Sequence, residues 1–213
     1  MNTSKYKLFL LDWDGCLAMT LENWMQSYLE VYSKYGICVT RNNIVKHSWG
    51  NLQEGPKFFG FTNYDDVWKE IVNLVTEKNS KVEMYEGSVD FLKRLKASDY
   101  KVAIVTSSEK KIVLPAIEYN NLNGYIDLIL TEEDVDNPKP HKDMAVLAMR
   151  KLQIGEGETI IMGDTSKDII CGQNAGIDTV LILHKENEEF YDFSKMRESN
   201  PTYVVKNFSE IEV

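Results

Sequence analysis

The chain has 213 residues, 43% of them hydrophobic and 27% charged. That is enough apolar material for one globular domain, or for a domain with a sizeable insertion, and too much for a disordered chain. Lys and Arg number 24 against 33 Asp and Glu, a formal charge of −9. Such a balance argues against a nucleic-acid partner but leaves room for a locally positive pocket that holds a small phosphorylated metabolite. No apolar run approaches the roughly 20 residues of a membrane span. The start from Met1 to Lys7 leads directly into a short apolar run, without a secretory-type core or cleavage site, so the sequence reads as a cytoplasmic protein with no membrane partner. Cys16, Cys38 and Cys171 are odd in number and lack Cys-x-x-Cys spacing, which fits reduced thiols. Nothing in the sequence speaks to the oligomeric state.

The first β-rich run, Lys7 to Leu11, ends in Asp12-Trp13-Asp14-Gly15. Ligands of open α/β sheets bind beyond the carboxyl ends of the strands, and two carboxylates there suit a metal ion, or a nucleophile with an acid partner. Calcium loops share Asp-x-Asp-Gly but add oxygen ligands at alternate positions, which Cys16, Leu17 and Ala18 do not supply. A plain acidic turn is the bland alternative.

From about residue 18 to 83 no strand is predicted. Leu21, Trp24, Met25, Tyr28, Tyr32 and Tyr35 share one face of a helix beginning after Thr20 and stopping at Gly36, and Tyr64 to Lys78 carries Val67, Ile71, Leu74 and Val75 in the same way. The tyrosines read as packing residues. Between these helices lies the polar and aromatic stretch His47-Ser48-Trp49-Gly50-Asn51.

Beyond residue 83 strands and helices alternate. A helix over Val89 to Lys96, with Ser88 as N-cap, precedes a strand over Lys101 to Val105 that ends in Thr106-Ser107-Ser108. Hydroxyls and free amides ahead of a helix make an anion site, and helix capping by Ser107 or Ser108 would equally explain them. A helix over Lys110 to Tyr119 and a strand over Ile126 to Leu130 lead to Asn137-Pro138-Lys139-Pro140. There the flanking prolines leave Lys139 little backbone freedom and aim its ammonium at a fixed point, to neutralise a phosphate or hold a carboxylate ionised. A solvated basic loop is the alternative. A helix over Lys142 to Leu152 and a strand over Thr159 to Met162 run into Gly163-Asp164-Thr165-Ser166-Lys167-Asp168. Asp164 is placed to ligate a hard cation or simply to cap the next helix, and Asp168 to orient a metal-bound water or Lys139. Strands over Thr179 to Leu183 and Tyr203 to Val205 follow, and His184, just after the first of these, reads as a surface residue. Consecutive rather than alternating apolar residues mark a sheet buried on both faces, so the predicted fold is α/β, a doubly wound parallel-sheet (Rossmann-like) core with an inserted all-helical unit.

Taken together and in this order, the four strand-end features resemble the haloacid dehalogenase-like hydrolase superfamily, in its phosphatase, phosphoglycolate phosphatase-like branch, over Leu8 to about Gly176. The resemblance implies a core of residues 1–17 and 84–213 with a helical cap of residues 18–83 that closes over the site and reads the leaving group. It implies that Asp12 is the nucleophile forming an aspartyl-phosphate and Asp14 the general acid and base. Thr106, amides near Ser107, and Lys139 would hold the phosphate. Asp12, the Asp14 backbone carbonyl and Asp164 would hold Mg2+, with Asp168 orienting Lys139 or a metal-bound water, and His47, Trp49 and Asn51 are the cap residues expected to face the substrate. The implied activity is Mg2+-dependent hydrolysis of a small organic phosphomonoester. A phosphomutase of the same fold (β-phosphoglucomutase-like) and a non-catalytic phosphate-binding regulator are the alternatives. Asp14 separates the phosphatase branch from the dehalogenases, which lack this acid. Cys16 in place of a usual threonine, Met19 in place of an acid, and Lys142 and Glu86 in place of prolines depart from the pattern without removing a chemical group.

Overall fold

The computed structural model describes residues 1–49 and 55–213. Six strands, β1 (Leu8–Leu11), β2 (Lys101–Val105), β3 (Leu128–Leu130), β4 (Thr159–Gly163), β5 (Asp178–Ile182) and β6 (Tyr203–Val205), form one sheet in the order β3-β2-β1-β4-β5-β6. All five pairings are parallel, as the doubly wound fold predicts. Because side chains alternate across a strand, each consecutive apolar residue serves a different face. In β1, Phe9 and Leu11 join Val102, Ile104, Ile160 and Met162 under α5 (Ser88–Ala97) and α6 (Lys110–Tyr119). Leu8 and Leu10 instead join Ala103, Val105 and Ile161 under α7 (Asp143–Leu152) and α8 (Ser166–Asn174). Both faces are therefore dry, which is why the strands read as unbroken apolar runs.

The central position of β1 decides where the chemistry can be. From β1 the chain winds outward to β2 and β3, and then returns to β4 on the other side of β1. The carboxyl ends of β1 and β4 diverge at this switch point and leave a crevice. Leu11 is in register with Ile104 and with Met162, so Asp12, Thr106 and Asp164 leave the sheet within a residue or two of the same level.

Between β1 and α5 the chain forms α1 (Leu21–Lys34), α2 (Arg41–His47), α3 (Gly55–Phe58) and α4 (Tyr64–Asn79). α1 and α4 pack through Trp24, Met25, Tyr28, Tyr32, Val67, Ile71 and Val75, a second core that Ile112 of α6 and Phe190 also enter. Tyr28 and Tyr32 are fully buried and packing residues, whereas Tyr35 lies more than a third exposed. The outgoing and returning chains pair with each other: Met19 N–H donates to Glu83 O at 2.9 Å and Tyr85 N–H to Leu17 O at 3.0 Å.

Several local expectations are corrected. α5 starts one residue early because Gly87, in the left-handed region at φ +79°, serves as its N-cap in place of Ser88. The N-cap position of α6 is Glu109 rather than Ser107 or Ser108, and the first amide of the helix, Lys110 N–H, donates to Glu133 Oε2 at 2.7 Å. α8 is capped by Thr165, whose hydroxyl and Asp168 form a reciprocal capping box, so Asp164 is free of that task. β3 begins at Leu128, two residues late. His184 is buried, not a surface residue. A short helix, α9 (Phe193–Arg197), follows β5. Among the described residues no helix is long and apolar enough to cross a membrane.

Candidate active site

Asp12 continues β1, and its backbone N–H still donates to Met162 O at 2.9 Å, so its side chain has a fixed origin at the carboxyl end of the sheet. Lys139 approaches from the loop before α7, and its ammonium lies 2.6 Å from Asp12 Oδ1 and 2.6 Å from Asp168 Oδ1, all three groups being buried. Asp168 is held from its other side: its Oδ2 accepts from the Thr165 N–H at 3.1 Å and hydroxyl at 2.7 Å. The helix cap of α8 thereby aims Asp168 at Lys139, and Lys139 at Asp12.

Asp164 stands apart from this chain of bonds. It is 1% exposed, and among the described residues neither carboxylate oxygen has a hydrogen-bond partner. The nearby Tyr191 hydroxyl favours its ionised form without the geometry of a proper bond. One oxygen from each of Asp12, Asp164 and Asp168 falls within 4.8 Å of the others. Since Asp168 is committed to Lys139 and Thr165, the oxygens left to a cation belong to Asp12 and Asp164. A buried carboxylate without a partner is costly, and a hard cation is the natural partner for two of them. Gly15, with φ +73°, makes room, for a Cβ there would meet Asp164 Oδ2 at 2.1 Å. The residues present fit a divalent ion.

The electrostatics agree. Burial, and next the charge of Asp168, push Asp12 up to about 7 against the pull of Lys139. Burial, then the charge of Asp12, drives Asp164 well above the usual carboxylate range. Burial alone would pull the Lys139 ammonium down, but the charges of Asp12 and Asp168 overcome it and hold it above its usual range. A positive ion between Asp12 and Asp164 would reverse the carboxylate shifts.

Asp14 faces a different neighbourhood. Its Oδ2 accepts from Ser108 Oγ at 2.7 Å and Thr106 Oγ at 3.4 Å, and its Oδ1 from Trp24 Nε1 at 3.2 Å. The Thr106 hydroxyl in turn accepts the Ser108 N–H at 3.0 Å, so the turn after β2 is self-braced. Ser107 is exposed in this turn and lines the cleft beside Thr106. Asp12, Asp14, Thr106, Ser107, Lys139 and Asp164 all line one cleft of ≈ 730 Å³ between the carboxyl ends of the strands and the helical unit, and Asp168 lies just beneath its floor.

The cap residues separate. Trp49 lines the cleft, its ring stacked on Phe190 at 5.0 Å. His47, expected to face the cleft, is not among its lining residues and stacks instead on Phe58 at 3.9 Å, because the last turn of α2 points it along the helical unit. Asn51 lies outside the described residues.

Five neighbours of the site escaped sequence reasoning. Ser108 carried a signal, since it shares the hydroxyl run with Thr106, but read as a cap. Trp24 read as a core residue. His184, Asn187 and Tyr191 follow β5, where no motif marks the chain. Asn187, 1% exposed, donates to Gly15 O at 2.9 Å and accepts from the Tyr85 hydroxyl, while His184 Nε2 donates to Cys16 O at 2.9 Å. These two side chains fix the turn that carries the chain away from Asp14.

A family model described as haloacid dehalogenase-like hydrolase matches residues 9–182. A protein of Halalkalibacterium halodurans named pyrophosphatase PpaX is 32% identical over 208 residues, covering 95% of this chain and 93% of the relative. Among solved structures, a predicted phosphoglycolate phosphatase of Haemophilus somnus superposes with a TM-score of 0.81 at 20% identity, covering 97% and 96% of the two chains. A haloacid dehalogenase-like family hydrolase of Streptococcus pneumoniae gives 0.82 at 16% identity, covering 97% of each. At such identities the likeness to the solved structures is one of fold.

Proposed function

The chain belongs to the haloacid dehalogenase-like hydrolase family, and from that premise we propose that it is a Mg2+-dependent phosphatase acting on a small organic phosphomonoester. The observation that carries the reading is Asp164: a buried carboxylate with neither oxygen partnered among the described residues, beside an Asp12 held by Lys139. The cleft presents Asp12, Asp14, Glu109, Glu132, Asp164 and Asp192 and, beneath them, Asp168 against the ammonium groups of Lys46, Lys139, Lys167 and Lys195. A phosphate dianion would be repelled from that set, and a bound divalent cation makes its entry favourable.

In this reading an Asp12 carboxylate oxygen attacks phosphorus, the P–O bond to the leaving oxygen breaks, and Asp14 gives that oxygen its proton. Water then attacks the aspartyl-phosphate, passes a proton back to Asp14, and releases inorganic phosphate with Asp12 restored. Asp12, the Asp14 backbone carbonyl and Asp164 are the groups that would hold Mg2+. When bound, the ion neutralises charge on the transferring phosphoryl group. Thr106, the backbone near Ser107, and Lys139 bind the remaining phosphate oxygens. Asp168 positions Lys139. Ser108 and Trp24 hold the Asp14 carboxylate for its proton transfers.

Residues 18–83 act as a cap on a core of 1–17 and 84–213, a division supported by the separate cores and by the paired chains at Met19–Glu83 and Leu17–Tyr85. Three unpaired cysteines accord with a cytoplasmic protein. The test is phosphate release from a panel of sugar, glycolyl, nucleotide and amino-acid phosphates with Mg2+, pyrophosphate being added because the Halalkalibacterium relative bears that name. Release by the native chain and none by a folded Asp12→Asn variant is the expected result; appreciable release by that variant refutes the nucleophile.

A further inference from the structure

The cleft above the acids is built for more than a phosphate. Three of the four tryptophans of the chain, Trp24, Trp49 and Trp68, line it. Trp24 and Trp68 stack at 5.9 Å with their planes 14° apart, and Trp49 stacks on Phe190 with planes 18° apart. Leu21 and Val72 extend the same wall. Among the described residues of the helical unit that line the cleft, Lys46 alone is charged.

The position of this wall relative to the chemistry is fixed by one bond, Trp24 Nε1 to Asp14 Oδ1 at 3.2 Å. In the phosphatase reading, on which this inference rests, Asp14 protonates the leaving oxygen. Whatever that oxygen carries must leave the phosphorus past Asp14, and it is therefore delivered against Trp24 and its partner Trp68. An anionic leaving group, such as a glycolate carboxylate or a second phosphate, would lose water against these rings, with Lys46 the one charge that the described residues of the helical unit offer it and Lys167 and Lys195 lining the cleft from the core side. A flat apolar ring loses little by the same transfer and gains stacking contacts. A volume of ≈ 730 Å³ is ample for a ring in addition to a phosphoryl group.

We infer that the substrate is a phosphomonoester of an aromatic alcohol, hydrolysed with one water to that alcohol and inorganic phosphate, its ring lodged against the Trp24–Trp68 pair. The experiment compares benzyl phosphate with ethyl phosphate, whose alcohols are similar in acidity and therefore similar in intrinsic reactivity, alongside glycolyl phosphate and pyrophosphate. The expected result is a kcat/KM for benzyl phosphate on the order of tenfold above that for ethyl phosphate. The benzyl-to-ethyl ratio should fall toward one in Trp68→Ala and recover in Trp68→Phe, which keeps a ring at that position if the alanine variant folds poorly. In parallel, benzylphosphonate and ethylphosphonate are titrated into the Mg2+-loaded Asp12→Asn protein and followed by tryptophan fluorescence; the benzyl compound should bind more tightly by a similar factor. Preference for glycolyl phosphate or pyrophosphate over benzyl phosphate overturns the inference, as does equal binding of the two phosphonates or an unchanged ratio in Trp68→Ala. If no compound releases phosphate, the phosphatase reading fails, and the phosphonate titration still decides whether the wall selects rings.

Discussion

Replacing Lys139 with methionine keeps the volume of the side chain and removes the one ammonium shared by Asp12 and Asp168, 2.6 Å from an oxygen of each and buried with them. Removing one partner of a buried ion pair costs about 3–5 kcal/mol, because the other is left as an uncompensated charge. Here the loss is bounded by proton uptake. Asp12 is already pushed up to about 7 with Lys139 in place, so without it the carboxylate takes a proton near neutrality and escapes part of the repulsion. We expect a loss near the low end, about 3 kcal/mol at pH 7.5 in metal-free buffer, which for a chain of this length lowers Tm by roughly 6–12 °C. The sign with pH follows from proton counting. The native fold gives up its Asp12 proton around pH 7, whereas the variant, without the ammonium, keeps it to higher pH while the unfolded carboxylate titrates near 3.9, so above pH 7 the variant's stability falls with pH more steeply than the native chain's. The deficit against the native chain is therefore largest near pH 8 and shrinks toward pH 6. Millimolar Mg2+ should return part of it, and adding Asp168→Asn to Lys139→Met should return part in the absence of metal. Denaturant titrations at pH 6, 7 and 8, with and without Mg2+, measure all of this. A loss below about 1 kcal/mol at pH 7.5, or a deficit independent of pH, would refute the reasoning.

Other expectations follow from single contacts. Chelation of Mg2+ should stop phosphate release reversibly, and Asp164→Asn should raise the Mg2+ concentration needed for half-maximal release by at least about tenfold; release that persists unchanged in chelator would show that Asp164 does not hold a required metal. Gly15→Ala should cost more than about 2 kcal/mol, from the left-handed backbone and the 2.1 Å approach to Asp164 Oδ2, and should weaken stabilisation by Mg2+; a thermal melt within 1 °C of the native chain in both conditions would count against that account. Burial holds the His184 imidazole below its usual value, against the opposing bond to Cys16 O. A depressed histidine contributes stability above its unfolded value of about 6.5 and loses it as pH falls below that point. The native chain should accordingly lose Tm between pH 7 and 5.5 faster than His184→Gln does, and parallel profiles would assign the acid sensitivity elsewhere.

The chemical inventory was local and therefore legible in the sequence. Asp12 and Asp14 in one turn, Thr106 after a β-rich run, Lys139 between prolines, and Asp164 with Asp168 each announced themselves by spacing within six residues, and consecutive apolar residues announced a sheet buried on both faces. Helix ends were less legible because capping depends on backbone angles: a left-handed Gly87 displaced Ser88, and Thr165 took the capping role open to Asp164. What only the tertiary structure decided is who meets whom. Asp12 and Lys139 are 127 residues apart and Asp14 and Ser108 94, and their contacts exist because the winding of the sheet puts β1 between β2 and β4. Asn187 and His184 reach back over 172 and 168 residues to the carbonyls of Gly15 and Cys16. Such pairings depend on strand order and register, which are set by burial of both sheet faces at once, and no periodicity in the chain encodes them. The same holds for Trp24 and His47. Both are aromatic residues of helical segments, and the packing of α1 on α4 carried the first to Asp14 while the last turn of α2 carried the second to Phe58.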